Sequence, residues 1–320
     1  MGINALGSVV HGDMNGVQIT GLANLAGGTM RGVQLAGISN ISSDNTVGLS
    51  AAGLVNITGD KAQGVVISGL TSIGGDNNSG LMISGFMNVT GNMASGLHFS
   101  GIANITGQSF GGLMASGLLN VVGEHMNGLQ IAGIANITAS KLNGVQVALC
   151  NYATKARGLQ IGLVNYYKED MKGFQLGLVN ANPDTKVQMM VYGGNATPAN
   201  IGVRFKNQLF YTILGVGSMY QGLNNKFSAS ASYRAGLSFP LYKGLSISGD
   251  LGYQHIEAFD NKDEVIPKRL YALQARANLE YQFTRKFGIF ATGGYGLTRF
   301  YNKSSNYDKG AIIEAGIVLF

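Results

Sequence analysis

Residues 128–143 read GLQIAGIANITASKLN, and this unit decides the fold because the chain repeats it. Residues 112–127 read GLMASGLLNVVGEHMN, and residues 96–111 read GLHFSGIANITGQSFG. The first glycine of the unit recurs as Gly16, Gly32, Gly48, Gly64, Gly80, Gly96, Gly112, Gly128 and Gly144, 16 residues apart each time. A second series, Gly21, Gly37, Gly53 and onward to Gly133, follows five residues behind. Three residues later stands an asparagine: Asn24, Asn40, Asn56, Asn88, Asn104, Asn120 and Asn136, with Ser72 in place of one. Two shorter units follow, GLQIGLVN from Gly158 and GFQLGLVN from Gly173, and a degenerate GINALG opens the chain at Gly2. A fixed period of this kind is the mark of a repeat architecture.

Each position keeps its chemistry. The residue after the first glycine is aliphatic (Val17, Val33, Leu49), as are the Leu22, Ile38, Leu54 and the Leu25, Ile41, Ile57 series. The residue after the third glycine is polar or acidic (Asp44, Asp60, Asp76, Asn92, Glu124), which suits a solvated turn. Glycine inside a helix costs about 1 kcal/mol, so short apolar runs between glycines read as strands.

Two all-β architectures fit. In a β-solenoid each unit is one coil, stacked about 4.8 Å from the next. The aliphatic positions are then expected in an inner core, with the asparagines bonded to each other in a ladder. In a single large β-barrel each unit is a strand plus a turn. Val17, Ile19, Gly21, Ala23 and Leu25 would then face lipid, and Gln18, Thr20 and Asn24 the lumen. A meander of up and down strands would alternate its turns with a 32-residue rhythm, and none is visible. Leu22 and Leu25 also break two-residue alternation. The solenoid is the favoured reading, and the large barrel is the alternative.

Composition changes near residue 150. Residues 1–150 hold three Lys/Arg against five Asp/Glu, and the rest hold 19 against 11. The first tyrosine is Tyr152. Glycine, at 49 of 320 residues, is about twice its average share, yet no Gly-X-Y period exists and prolines number four, so collagen is excluded. With 45% hydrophobic and 12% charged residues, disorder is not expected. Cys150 is the lone cysteine and forms no intrachain disulfide. No apolar run reaches 18 residues, and no signal-peptide pattern opens the chain.

After about residue 184 the pattern becomes long amphipathic strands. Tyr271, Leu273, Ala275, Ala277, Leu279, Tyr281 and Phe283 alternate with Gln274, Arg276, Asn278, Glu280 and Gln282. Residues 245–254 and 229–238 alternate in the same way. Connections at 205–209, 240–244 and 284–287 are tight, whereas those at 221–226, 259–268 and 302–309 are longer and polar. Long strands with short turns on one side and long loops on the other suit an outer-membrane barrel. Six strands are clear and two shorter ones precede them at 187–193 and 201–206, which makes about eight. Arg234, Asp250, Arg276 and Glu280 are then expected to pair in a filled lumen. Tyr211, Tyr220, Tyr233, Phe239, Tyr253, Tyr281, Phe287 and Tyr301 are candidates for interfacial girdles. The final strand ends in Phe320 and resembles the signal read by the outer-membrane assembly machinery. The expected domains are therefore a solenoid over 1–184 and an antiparallel barrel over 185–320.

With GLQIGLVN, GFQLGLVN and the phenylalanine-ended strand, the chain resembles bacterial surface-repeat proteins built from G-h-Q-h-G-L-h-N units. These are outer-membrane proteins of Gram-negative bacteria without an established biochemical activity. The resemblance spans most of residues 16–180. It implies no catalytic residue. Ser50, Val66, Met82, His98 and Met114 stand where the motif has glutamine.

No enzyme, cofactor or metal site is expected. His11, His98, His125 and His255 lie outside ligand spacing of each other. Asp44, Asp60 and Asp76 form a row, but Asn92 and Gln108 interrupt it, so a solvated edge is favoured over calcium. The basic second half suits contact with lipopolysaccharide at a membrane surface better than nucleic acid, because its charges are scattered. The functional expectation is a non-enzymatic outer-membrane surface or structural repeat protein, acting in adhesion or envelope interaction. A pore made of one large barrel and a soluble carbohydrate-binding β-helix are the alternatives.

Overall fold

The computed structural model describes residues 2–220, 223, 227–259, 269–303 and 305–319. Its regular structure is all β, in two compact units, Met1–Gly177 and Leu178–Phe320. Residues 178–184 thus group with the second unit, although the repeat reading assigned them to the first.

The first unit is a stack of parallel coils. Each coil has a long strand, such as Met14–Thr20 or Met30–Ala36, and a four-residue strand, such as Ala23–Ala26 or Ser39–Ser42. Long strands pair only with long strands of adjacent coils, and short with short, through most of the stack. The register is the sequence period itself: Gly16 faces Gly32, Gln18 faces Gln34 and Asn24 faces Asn40. The single large barrel is therefore excluded. Later coils are shorter. The strands Ala135–Val147, Cys150–Ile161 and Val164–Leu176 each run through what was a turn, with register slips between Thr138 and Lys141 and between Ala153 and Lys155.

The glycine period has a steric cause. Eleven glycines, one per coil from Gly16 to Gly173, have φ between 104° and 150°. L-residues avoid this region. A Cβ on Gly112 would also strike the carbonyl oxygen of Gly96 in the coil beside it. The bend and the close stacking both require glycine.

Which side is inside differs from the expectation. Gln18, Thr20, Asn24 and Ala26 are buried, whereas Leu22 and Leu25 are exposed. The aliphatic positions do not form the inner core; they clothe the outside. The in-out alternation foreseen for the large barrel is the one the solenoid adopts. The reason lies in the asparagine: pointing inward, its amide also reaches a carbonyl of the facing long strand, as Asn24 does at Leu35, and the pleat then turns Ala23 and Leu25 outward. The interior at the N-terminal end is amide and hydroxyl groups with Met14, Ala26 and Met30 among them. In the middle it becomes oily, around Phe110, Met114, Val122, Met126 and Leu142.

The second unit is a closed antiparallel barrel of eight strands: Lys186–Gly194, Ala199–Asn207, Phe210–Ser218, Ser228–Tyr242, Leu245–Ala258, Arg269–Thr284, Phe287–Phe300 and Asn306–Leu319. The first and last pair, with Met189 facing Leu319. Alternation places Leu273, Leu279 and Tyr281 outside and Gln274, Arg276, Asn278 and Glu280 inside. Tight turns at 208–209, 243–244 and 285–286 lie at one end, where residues 178–185 also enter. Connections at 195–198, 219–227, 259–268 and 301–305 lie at the other. Of the loops foreseen as long, 221–222, 224–226, 260–268 and 304 fall outside the described residues.

Candidate functional site

The stack and the barrel lumen each concentrate buried polar groups, and these two interiors are where site chemistry would reside. In the stack the Nδ2 of Asn24 donates to Oδ1 of Asn40 at 2.8 Å, and Asn40 donates to Asn56 at 3.0 Å. The same bond links Asn88, Asn104, Asn120 and Asn136 at 2.8–2.9 Å. It continues to Asn151, a rung that the sequence reading did not pick out, and to Asn165, the asparagine of GLQIGLVN. The second hydrogen of each amide donates to a backbone carbonyl of the next coil, as Asn120 does to Ile131 at 2.7 Å. Ser72 breaks the ladder; its Oγ instead meets those of Ser68 and Ser84.

A second ladder, not foreseen as such, uses the glutamines. Gln34 donates to Gln18 at 3.0 Å, Gln146 to Gln130 at 2.8 Å, Gln160 to Gln146 at 2.9 Å and Gln175 to Gln160 at 2.8 Å. These donors point toward the N-terminal coils, whereas the asparagine donors point toward the C-terminal ones. The two rows of amide dipoles thus oppose each other. Between the glutamine segments sit Ser50, Val66, Met82, His98 and Met114. His98 is buried edge-on against Phe110 at 5.0 Å. Burial lowers its pKa to about 4, so it is neutral at pH 7.

The predicted lumen charges all lie inside the barrel, but they do not simply pair with each other. Arg234 binds Asp250 through two bonds of 2.8 Å. Glu280 takes a fork from Arg204, at 2.6 and 2.9 Å. Arg276 takes Glu314, with two bonds of 3.1 Å. Arg204 and Glu314 are the partners that sequence reading missed. Both sit on inward positions of their strands, so alternation alone would have found them; which strand faces which across the lumen would not follow. Asn278 and the Tyr211 hydroxyl complete the Asp250 shell, at 2.8 and 2.7 Å. Tyr192, Ile213, Phe290 and Val318 fill the lumen toward the tight-turn end.

Tyr211 and Tyr220 are therefore not girdle residues. Tyr211 is buried against Asp250, and Tyr220 bonds Thr298 at 2.8 Å inside the long-loop end. Phe239, Tyr253, Tyr281, Phe287 and Tyr301 do face outward, and Tyr233 is half-buried. Phe320 lies outside the described residues; the strand before it pairs through Leu319. The turn row Asp44, Asp60 and Asp76 lies at the outer edge of the stack, where Asp76 accepts from Asn92 and Asn77. Among the described residues no group of three His, Cys, Asp or Glu is placed to hold a metal.

No protein-family model matches the chain, and no curated protein matches its sequence. Among solved structures, the N-terminal β-barrel domain of Pseudomonas aeruginosa OprF is similar to it at 17% identity and a TM-score of 0.31. The match covers 42% of this chain and 93% of that one.

Proposed function

We propose that this chain is a non-enzymatic structural protein of the Gram-negative outer membrane, in which the eight-stranded barrel is the anchor and the coil stack its envelope-facing element. The observation that carries the reading is the polarity of the barrel. Its outward positions are apolar and aromatic, and its inward positions hold three arginine–carboxylate pairs. A soluble sheet would put its apolar face inside; lipid reverses that preference. The alternation of tight turns and long connections supports the same reading, and so does the G-h-Q-h-G-L-h-N resemblance.

In such barrels the tight turns face the periplasm. Residues 178–185 enter at that end, so the chain reaches the barrel from the periplasmic side. This favours envelope interaction over adhesion at the cell surface. Arg269, Arg299, Lys303 and Lys309, at the long-loop end, would meet acidic lipopolysaccharide. The assembly machinery would read the last strand. A pore is disfavoured, because the described lumen is closed by side chains. Fractionation of full-length protein tests the anchor: recovery with outer membranes, resistant to salt and alkaline wash, is expected, and a soluble monomer without detergent would overturn it. In planar bilayers the protein is expected to be nearly silent.

A further inference from the structure

The outer surface of the stack is divided by charge. Five outward rows, starting from Val17, Ile19, Leu22, Ala23 and Leu25, contain no charged residue in any coil. Every Asp, Glu, Lys and Arg of residues 2–177 lies on the opposite edge, in the rows that start from Gly12, Asp13 and Asn15 or, for Lys168 and Glu169, at the register slip of the last coil beside them. In cross-section each coil is a wedge: apolar around the bend between its long and short strands, polar at the far bend.

The Leu22 row stands at the tip of that wedge. Its side chains from Leu22 to Leu70 remain 42–46% exposed. The apolar path from position 17 to 25 is about 30 Å long, and ten coils extend it for about 48 Å, giving roughly 1,400 Å². Apolar patches on soluble monomers reach only a few hundred Å². Something covers this one.

The backbone at the tip is also closed. The N–H groups of Ile38 and Ser39 donate to Leu22 O at 2.8 and 3.1 Å, and Leu54 donates to Ile38 at 3.0 Å. Turns ordinarily leave such groups to water. Here each is paired to the adjacent coil, which is the condition for backbone to enter hydrocarbon.

From these three features we infer that the apolar wedge of the stack is embedded in the phospholipid leaflet, with the charged edge in water. Shape favours lipid over a second copy. The apolar rows continue around a convex bend, so a rigid partner would cover one flank and leave the other, whereas acyl chains wrap both. The arrangement is a β counterpart of an interfacial amphipathic helix. It rests on the barrel reading, since the anchor holds the stack near the membrane at high effective concentration.

Cys150, exposed in the Ala23 row, provides a probe without mutation. The full chain is reconstituted in dioleoylphosphatidylcholine vesicles and spin-labelled at Cys150. In a Cys150→Ser background it is labelled at Leu118→Cys on the tip, Ser95→Cys on the charged edge, or Leu251→Cys on the outer barrel wall. Collision rates with oxygen and with a water-soluble nickel chelate are then compared. Nickel access at Cys150 and Leu118→Cys is expected roughly tenfold below that at Ser95→Cys, because a polar chelate is excluded from acyl chains. Oxygen access is expected to match Leu251→Cys. Water-like values at Cys150 and Leu118→Cys, with acyl-like values at Leu251→Cys, would overturn the inference and leave the barrel reading standing. Shielding from both probes, with dipolar broadening between labels, would overturn it in favour of a second copy. Water-like values at Leu251→Cys as well would sink the barrel reading and the inference together.

Discussion

The stack and the barrel both bury rows of polar side chains and turn apolar rows outward, but they satisfy those buried rows by different chemistry. The stack uses neutral amides, and the barrel uses ions. Stacking explains the choice. Each interior position of the stack lies about 4.8 Å from its own copy in the next coil. A row of like charges at that spacing repels itself. An amide carries both donor and acceptor, so it bonds its own copy without limit. In the barrel, inward neighbours come from unrelated strand positions, so Arg234 meets Asp250 of the adjacent strand and Arg204 meets Glu280 across the lumen. Repetition selects self-complementary groups, and closure of non-identical strands permits complementary ones.

The comparison breaks most severely where a charge enters the ladder. Asn120→Asp removes the donor to Asn136 and Ile131 and buries an uncompensated carboxylate. A loss of about 5 kcal/mol is expected, seen as early melting of the stack in urea followed by circular dichroism. In the barrel the same logic acts on removal. Asp250→Ala leaves Arg234 without its principal partner and is expected to cost about 3–5 kcal/mol, read from the urea midpoint of the folded band on unboiled gels. Arg234→Met in that background should recover most of it, and no recovery would mean that the pair is not coupled.

A smaller effect tests the oily middle of the stack. The folded pKa of His98 is about 4, below its ordinary 6.5, so the unfolded chain binds the extra proton between these values. Stability is therefore complete above pH 6.5 and falls as pH is lowered through about 4, by about 3 kcal/mol. His98→Gln restores the repeat residue and should flatten that part of the pH profile; an unchanged slope would assign it to other groups. The smallest effect repairs the ladder. Ser72→Asn should rejoin Asn56 to Asn88 and add about 1 kcal/mol, with Ser68 serving the new amide as Ser84 serves Asn88. A lower midpoint in urea would show that the hydroxyl cluster had been the better arrangement.

Much of this was legible in residue order. The 16-residue glycine period became the coil because Gly16, Gly32 and their successors hold a backbone turn that only glycine tolerates. The alternation through residues 271–283 became a barrel wall with the predicted faces. Other features were hidden. Asn151 continues the ladder although it follows Gly144 by seven residues where Asn136 follows Gly128 by eight, because the bend between the two strands has shortened and the pairing has kept asparagine against asparagine. Tyr211 resembled a girdle residue by its place near a strand end, but it lies on the inward face, where Asp250 takes its hydroxyl.

By itself, the sequence determined the period, the strand pattern and which residues share a face, because these follow from local sterics and a two-residue pleat. In the stack, only the tertiary structure decided which face is inside. Alternation is symmetric between the two faces, and the choice depends on what each row meets across a distance. Asparagine meets asparagine 16 residues away, and leucine is left to the environment. The arginine partners were likewise settled by closure of the barrel, which brings Arg204 to Glu280 across 76 residues.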